Sequence, residues 1–181
     1  MVAGRYSLFD TAFGRCALAW SELGLLAVSL PGVDDAATGT QLHRRERDLQ
    51  RSDSAWPAFV SEAVAHMQAH LSGQPHDLRE VPLDWSGVHD FERRVYLATR
   101  ALDPGRTCSY GEMARDLGEP AAMRAVGQAL GHNPWPLVVP CHRVLAAGGR
   151  LGGFSAPGGS ETKRRLLVLE AGMVRREDQL F

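Results

Sequence analysis

The segment "TCSYGEMARDLGEPAAMRAVGQALGHN", residues 107–133, constrains the fold most, because it starts, stops and restarts a helix over a short span. Ser109 and Glu112 form an S-x-x-E capping box, which satisfies two orphan amides at a helix start. Gly118 ends that helix after two turns, and Pro120 suits the first turn of the next. Two helices joined by so short a turn read as a helix-turn-helix. In the second helix Met123, Val126 and Leu130 make the inward stripe. At about 100° per residue, Arg124, Gly127, Gln128 and Gly131 fall together on another face. Glycine in a helix interior costs about 0.8–1.0 kcal/mol relative to alanine, so this pair needs a reason. Close packing on a neighbouring helix is one. The other is a smooth face, with Ala125 beside it and one arginine projecting, that lets a DNA groove approach the backbone.

The chain of 181 residues suffices for one large domain or two small ones. Its 44% apolar and 23% charged residues read as soluble and globular. No run approaches the roughly 20 apolar residues of a membrane span, and "MVAGRYSLFD" lacks an apolar signal core, so a cytoplasmic protein is expected. Cys16, Cys108 and Cys141 offer neither a C-x-x-C pair nor a disulfide framework, and no metal site is expected. Net charge is -1, yet residues 124–165 carry six Lys/Arg against the one acid Glu161. A locally basic stretch suggests a face that meets an anion, which a nucleic-acid backbone would supply; a solvated surface rich in arginine reads the same way. The single lysine, Lys163, reads as a compositional bias without chemistry.

Upstream, residues 6–9, 16–20 and 25–30 are short apolar runs separated by turn signals, in meander order. Residues 33–53 are polar without a clean period and read as a loop. Ser54 can cap a following helix, with Pro57 in its first turn and Phe59, Val60, Ala63, Val64, Met67 and Leu71 as its stripe, ended by Gly73. "VPLDW" (81–85) reads as an edge strand. From about Gly87 a second part begins, in which Phe91, Val95, Ala98 and Leu102 recur at helical spacing until Asp103-Pro104-Gly105. The expected fold is an α/β N-terminal domain over 1–86, a small antiparallel sheet plus helix. A mostly α-helical C-terminal domain with the helix-turn-helix follows over 87–181.

The chemistry lies in "PLVVPCHRVLAAGGRLGGF". Adjacent side chains do not face one another on a helix, so His142 would act on Cys141 indirectly, through loop geometry or a bridging water. Thiolate is the reactive form, and an unassisted cysteine with a pKa of about 8.5 is mostly protonated at neutral pH. A Cys-His dipeptide alone is weak. A papain-type protease would want a histidine far downstream, and none follows His142; a metal site would want more ligands than His132 adds.

"SYGEMA", "RAVGQALGHNPWPLVVPCHRV" and "GGFSAPGG...K..LL..E" resemble the O6-alkylguanine-DNA alkyltransferases over about residues 87–172. The resemblance implies that Cys141 accepts the alkyl group, His142 is the base, and Glu170 orients it. It implies that Asn133 braces the turn before the active site and that Tyr110 assists departure of the guanine oxygen. Arg124 matches the arginine that fills the space of a flipped base, on a helix whose Ala125, Gly127, Gln128 and Gly131 face DNA. Tyr110, Val144, Gly152, Gly153, Phe154 and Ser155 are expected to wall the base pocket, with Gly148 and Gly149 turning the loop. Met123 departs from the small residue more usual before the arginine, and "SAPGGSE" is slightly longer than in some relatives. The implied partner is double-stranded DNA containing O6-alkylguanine, met by a monomer with no cofactor, no metal, no membrane and no obligatory protein partner. The rivals are a non-catalytic lesion-binding protein, which would replace the cysteine, and a transcription regulator. The regulator would need base-reading side chains that Ala125, Gly127 and Gly131 do not provide.

Overall fold

A computed structural model describes residues 4–178, apart from the side chains of residue 45 and residues 176–178; residues 1–3 and 179–181, the outer ends of the two expected domains, lie outside it. The chain divides into two compact units. The first comprises residues 1–86 with Pro134–Val138, the second Gly87–Asn133 with residues 139–181.

The first unit is built on β1 (Gly4–Thr11), β2 (Gly14–Trp20) and β3 (Leu25–Ser29), an antiparallel meander in which Phe9 pairs with Cys16 and Leu18 with Val28. Residues 16–20 of β2 are all buried, because both faces of this central strand are covered. Ala17, Ala19 and Ala27 pack with Leu42 of α1 (Asp35–Arg45). That helix and β4 (Leu49–Arg51) correct the expected 33–53 loop. Asp34 caps α1 by accepting from the amide of Ala37 at 2.7 Å, and β4 pairs in parallel with β1. The sheet, in the order β3-β2-β1-β4, is therefore mixed and not purely antiparallel.

Helix α2 (Ala58–Leu71) follows, with Pro57 and not Ser54 at its cap position. Val60, Ala63, Val64, Met67 and Leu71 form its buried stripe, with Phe59 half-buried. Residues 81–85 shrink to a single bridge, Leu83 beside Leu25. Pro82 has no amide to extend a ladder, but its carbonyl accepts from Leu25 at 2.8 Å. The Pro134–Val138 segment joins this unit through the Trp135 indole, which donates to the Leu25 carbonyl at 2.7 Å.

The second unit is mostly helical: α3 (Asp90–Arg100), α4 (Tyr110–Asp116), α5 (Met123–Gly131) and α6 (Gly159–Asp178), with β5 (Cys108–Ser109) and β6 (Val144–Leu145) as a short parallel pair. Val95, Tyr96 and Thr99 form the buried face of α3, and the Tyr96 hydroxyl donates to the Ala129 carbonyl of α5 at 2.8 Å. The α4 capping box is formed on both sides: the Ser109 hydroxyl accepts from the Glu112 amide at 3.1 Å, and the Glu112 carboxylate from the Ser109 amide at 2.6 Å. Gly118 adopts a positive φ of 77°, as a helix-ending glycine does. A 3-10 turn, Pro120–Ala122, leads into α5. There the buried stripe is Val126, Ala129 and Leu130, while Met123, expected inward, is 54% exposed and leans toward Gly111 at the start of α4.

Candidate active site and nucleic-acid interface

Cys141 opens a 3-10 turn, Cys141–Arg143, just after Pro140. Its amide donates to the Val139 carbonyl at 2.7 Å, and the buried Asn133 amide nitrogen donates to that same carbonyl at 2.8 Å. Asn133 thus ties the end of α5 to the residue two before the cysteine. Cys141 is only 6% exposed and lines a cavity of about 410 Å³. Helix α5 contributes Gly127, Leu130 and Gly131 to its wall, the loop contributes Gly153, Phe154 and Ser155, and Tyr110 completes it. The volume lies in the range of small-molecule sites. Two expected pocket residues, Val144 and Gly152, are not part of that wall. Val144 is wholly buried in β6, and a Cβ on Gly152 would sit 3.6 Å from the Tyr110 ring.

His142 and Glu170 are both fully buried, with His142 Nε2 2.8 Å from Glu170 Oε1. A carboxylate can only accept, so Nε2 carries the hydrogen and Nδ1 is the basic nitrogen of the neutral ring. Arg143, unforeseen as a site residue, grips the same carboxylate through Nη2 at 2.8 Å and Nε at 3.0 Å. It also donates through Nη1 to the Leu102 carbonyl. The Gly105 amide reaches Glu170 Oε2 at 3.2 Å. Glu170 therefore accepts from at least four donors, and Arg143 compensates its buried charge in the fork geometry such pairs favour. Arg143 belongs to the motif as the residue after His142; its destination depends on α6, which no local pattern reveals.

Tyr110 is the first residue of α4, so the capping box sets its position. Its ring lies between Gly152 and Gly127, whose Cβ would be 3.9 Å from it. Burial pushes the phenol up from its ordinary value, and the charge of Cys141 pushes it the same way. Tyr110 thus keeps its proton at neutral pH and is a hydrogen-bond donor into the cavity. The same ring lies 5.9 Å, centre to nitrogen, from Lys163. That lysine is fully buried on α6 and donates to the carbonyls of Val144 at 2.8 Å and Gly153 at 3.3 Å.

On α5, Arg124, Gln128 and Gly131 are exposed, with Ala125 and Gly127 half-buried. A Cβ on Gly131 would meet nothing within 4 Å, and one on Gly127 would meet only the Tyr110 ring at ordinary contact distance. Within this unit, close packing does not require these glycines. They leave a low, open surface running from Arg124 to the cavity mouth.

The family described as 6-O-methylguanine DNA methyltransferase, DNA binding domain, matches residues 90–172. The methylated-DNA–protein-cysteine methyltransferase of Mycolicibacterium paratuberculosis is 40% identical over 153 residues, 83% of this chain and 88% of the relative. The Mycobacterium tuberculosis protein of that name is 41% identical over 78% of this chain and 86% of its own length. The chain belongs to the methylated-DNA–protein-cysteine methyltransferase family. The fold agrees: the crystal structure of Mycobacterium tuberculosis OGT in complex with DNA superposes with a TM-score of 0.75 at 35% identity, covering 93% of this chain and 94% of that one. The O6-methylguanine-DNA methyltransferase of Pyrococcus kodakaraensis gives 0.65 at 26% identity over 92% and 98%.

In this member of the family, the matched span holds every residue singled out above for chemistry or DNA contact, from Tyr110 to Glu170. It excludes the mixed sheet, α1 and α2. Among the described residues, no helix is long and apolar enough to cross a membrane.

Proposed function

We propose that this protein repairs double-stranded DNA containing O6-alkylguanine by moving the alkyl group onto its own Cys141. The observation that carries the reading is the cysteine at a cavity of about 410 Å³, which has room for a purine base, beside a buried His142–Glu170 pair. Guanine in a duplex must leave the stack to reach such a cavity, at a cost of a few kcal/mol. Arg124 fills the vacated space, and Ala125, Gly127, Gln128 and Gly131 let the groove lie close. Residues 87–181 act as the catalytic and DNA-binding domain, and residues 1–86 as the family's variable N-terminal domain.

His142 Nδ1 takes the thiol proton indirectly, through a bridging water, with Glu170 holding the ring in the required tautomer. The sulfur attacks the alkyl carbon in line; the S–C bond forms as the C–O6 bond breaks. Tyr110 donates to the departing oxygen, and the proton lost by the thiol is balanced by the one the freed guanine gains. The thioether is not hydrolysed, so each molecule acts once, without a cofactor. We place the protein in the cytoplasm as a monomer. The test is Cys141→Ser, expected to abolish transfer of methyl from an O6-methylguanine duplex while duplex binding persists. Transfer at a comparable rate by the serine variant would refute the assignment.

A further inference from the structure

Met123 is the one exposed large apolar side chain between residues 107 and 133. It is the first residue of α5, and the 3-10 turn Pro120–Ala122 delivers the chain there with that side chain outward. A single exposed apolar residue is ordinary on a protein surface, but the neighbours of this one are not. At about 100° per residue, Gly127 and Gly131 lie about 40° and 80° round the helix from Met123, short of Arg124 at about 100°. Two long side chains, one apolar and one cationic, thus stand at the same end of α5. Between them begins the low surface that runs to the cavity mouth at Gly127 and Gly131. The Met123 sulfur is seated over Gly111, where a Cβ would lie 3.7 Å from it. Gly111 is the second residue of α4, whose start the Ser109–Glu112 capping box fixes. The apolar side chain is therefore both exposed and backed by a fixed element.

We infer that Met123 is an apolar wedge for duplex DNA: its thioether enters the groove beside Arg124 and parts the base step next to the vacated position. The inference rests on the repair reading, in which Arg124 fills the space of a flipped base. Methionine is among the side chains that insert between base steps from the minor groove and partly unstack them. Unstacking is part of the cost of extruding a base, so a wedge that supplies it lowers what the flip still requires. The unbranched, polarisable thioether adapts to whichever base it meets. It carries no charge and no strong donor, so it adds neither a phosphate contact nor a base preference. Leucine would serve the same purpose. Glutamine, of similar length, would not, because its amide must give up water to sit between bases.

The probe is a duplex carrying O6-methylguanine with 2-aminopurine as its neighbour, whose fluorescence rises when that base is unstacked. At saturating protein the rise is expected to be roughly halved in Met123→Ala and Met123→Gln and retained in Met123→Leu. Duplex affinity should be about tenfold weaker in the first two, equivalent to about 1.4 kcal/mol. No cation is lost, so the slope of log affinity against log salt should match the unsubstituted protein, whereas a lost phosphate contact lowers it by about one. An unchanged fluorescence rise in Met123→Ala would overturn the inference, as would a Met123→Gln variant that matches the unsubstituted protein or a salt slope lowered by about one. A residue that only packs α5 on α4 would lower the melting temperature of the free protein and leave the saturated rise unmoved, which overturns it too. Failure of the repair reading shows separately, as unsubstituted protein that takes up no methyl from the same duplex.

Discussion

Glu170→Gln exposes the chemistry of the buried cluster most sharply. Oε1 accepts from His142 Nε2 and Arg143 Nη2, and Oε2 from Arg143 Nε and the Gly105 amide. An amide nitrogen at either position faces two donors, so no orientation of glutamine satisfies the site. The substitution also leaves the Arg143 guanidinium, itself 6% exposed, without its anion. Breaking one side of such a buried pair costs about 3–5 kcal/mol. At roughly 2–4 °C per kcal/mol for a chain of this size, the melting temperature should fall by roughly 6–20 °C. Adding Arg143→Met removes the orphaned charge and should recover much of the loss, giving a strongly non-additive cycle. At the thiol, a His142 without its carboxylate holds a proton less well, so the alkylation profile of Cys141 should move to higher pH. A midpoint raised by about one pH unit corresponds to about 1.36 kcal/mol. Thermal unfolding and thiol labelling of the single and double variants decide the matter. A cost below about 1 kcal/mol, additive with Arg143→Met, would refute a compensated four-donor carboxylate.

Arg124→Ala should slow repair of a duplex lesion severely yet scarcely change reaction with O6-benzylguanine as free base; equal losses on both would remove the base-replacing role. Gly127→Leu should reduce both reactions, because a Cβ there already lies 3.9 Å from Tyr110 and the longer side chain enters the cavity; unchanged free-base reaction would contradict that placement. Burial pushes the Cys16 thiol up to about 12 from 9.0, so the native state keeps a proton that the unfolded chain loses between those values. For this thiol alone, stability should fall with rising pH across that window by about 1.4 kcal/mol per pH unit, and in urea titrations at pH values of about 9.5 and 10.5 Cys16→Ala should reduce the slope by that share, leaving the share of Cys108. Cys108, pushed up to about 11 by burial and by Glu112 and Asp116, should label far more slowly than Cys141 at neutral pH; comparable rates would contradict it.

The elements written in local signals were legible in the sequence. Ser109 with Glu112 and Gly118 mark α4 because capping and termination are local chemistry, and the β1–β3 meander follows from its apolar runs and glycine turns. Helix α1 escaped because Leu42 is its one large buried apolar residue, so there is no stripe to count. Strand β4 is three residues long and exists by pairing with β1, a partner more than thirty positions away. Met123 fitted the stripe of α5, but the 3-10 turn before it delays the helix and leaves that side chain outside. In the site, the motif made Cys141, His142 and Glu170 readable through resemblance. Arg143 and Lys163 were hidden for another reason: a charged residue reads as surface until a distant element supplies its partners. Buried Lys163 and Glu170 sit on the same face of α6 as Leu166 and Met173, which blurs that helix's apolar period.

The most direct measurement is the intact mass of the protein after mixing with a duplex carrying one O6-methylguanine, followed by peptide mapping. The expected result is a gain of one methyl per molecule, confined to the peptide containing Cys141, with the DNA restored to guanine and no second turnover. No gain in mass, or a methyl on the peptide of Cys16 or Cys108, would contradict Cys141 as the acceptor.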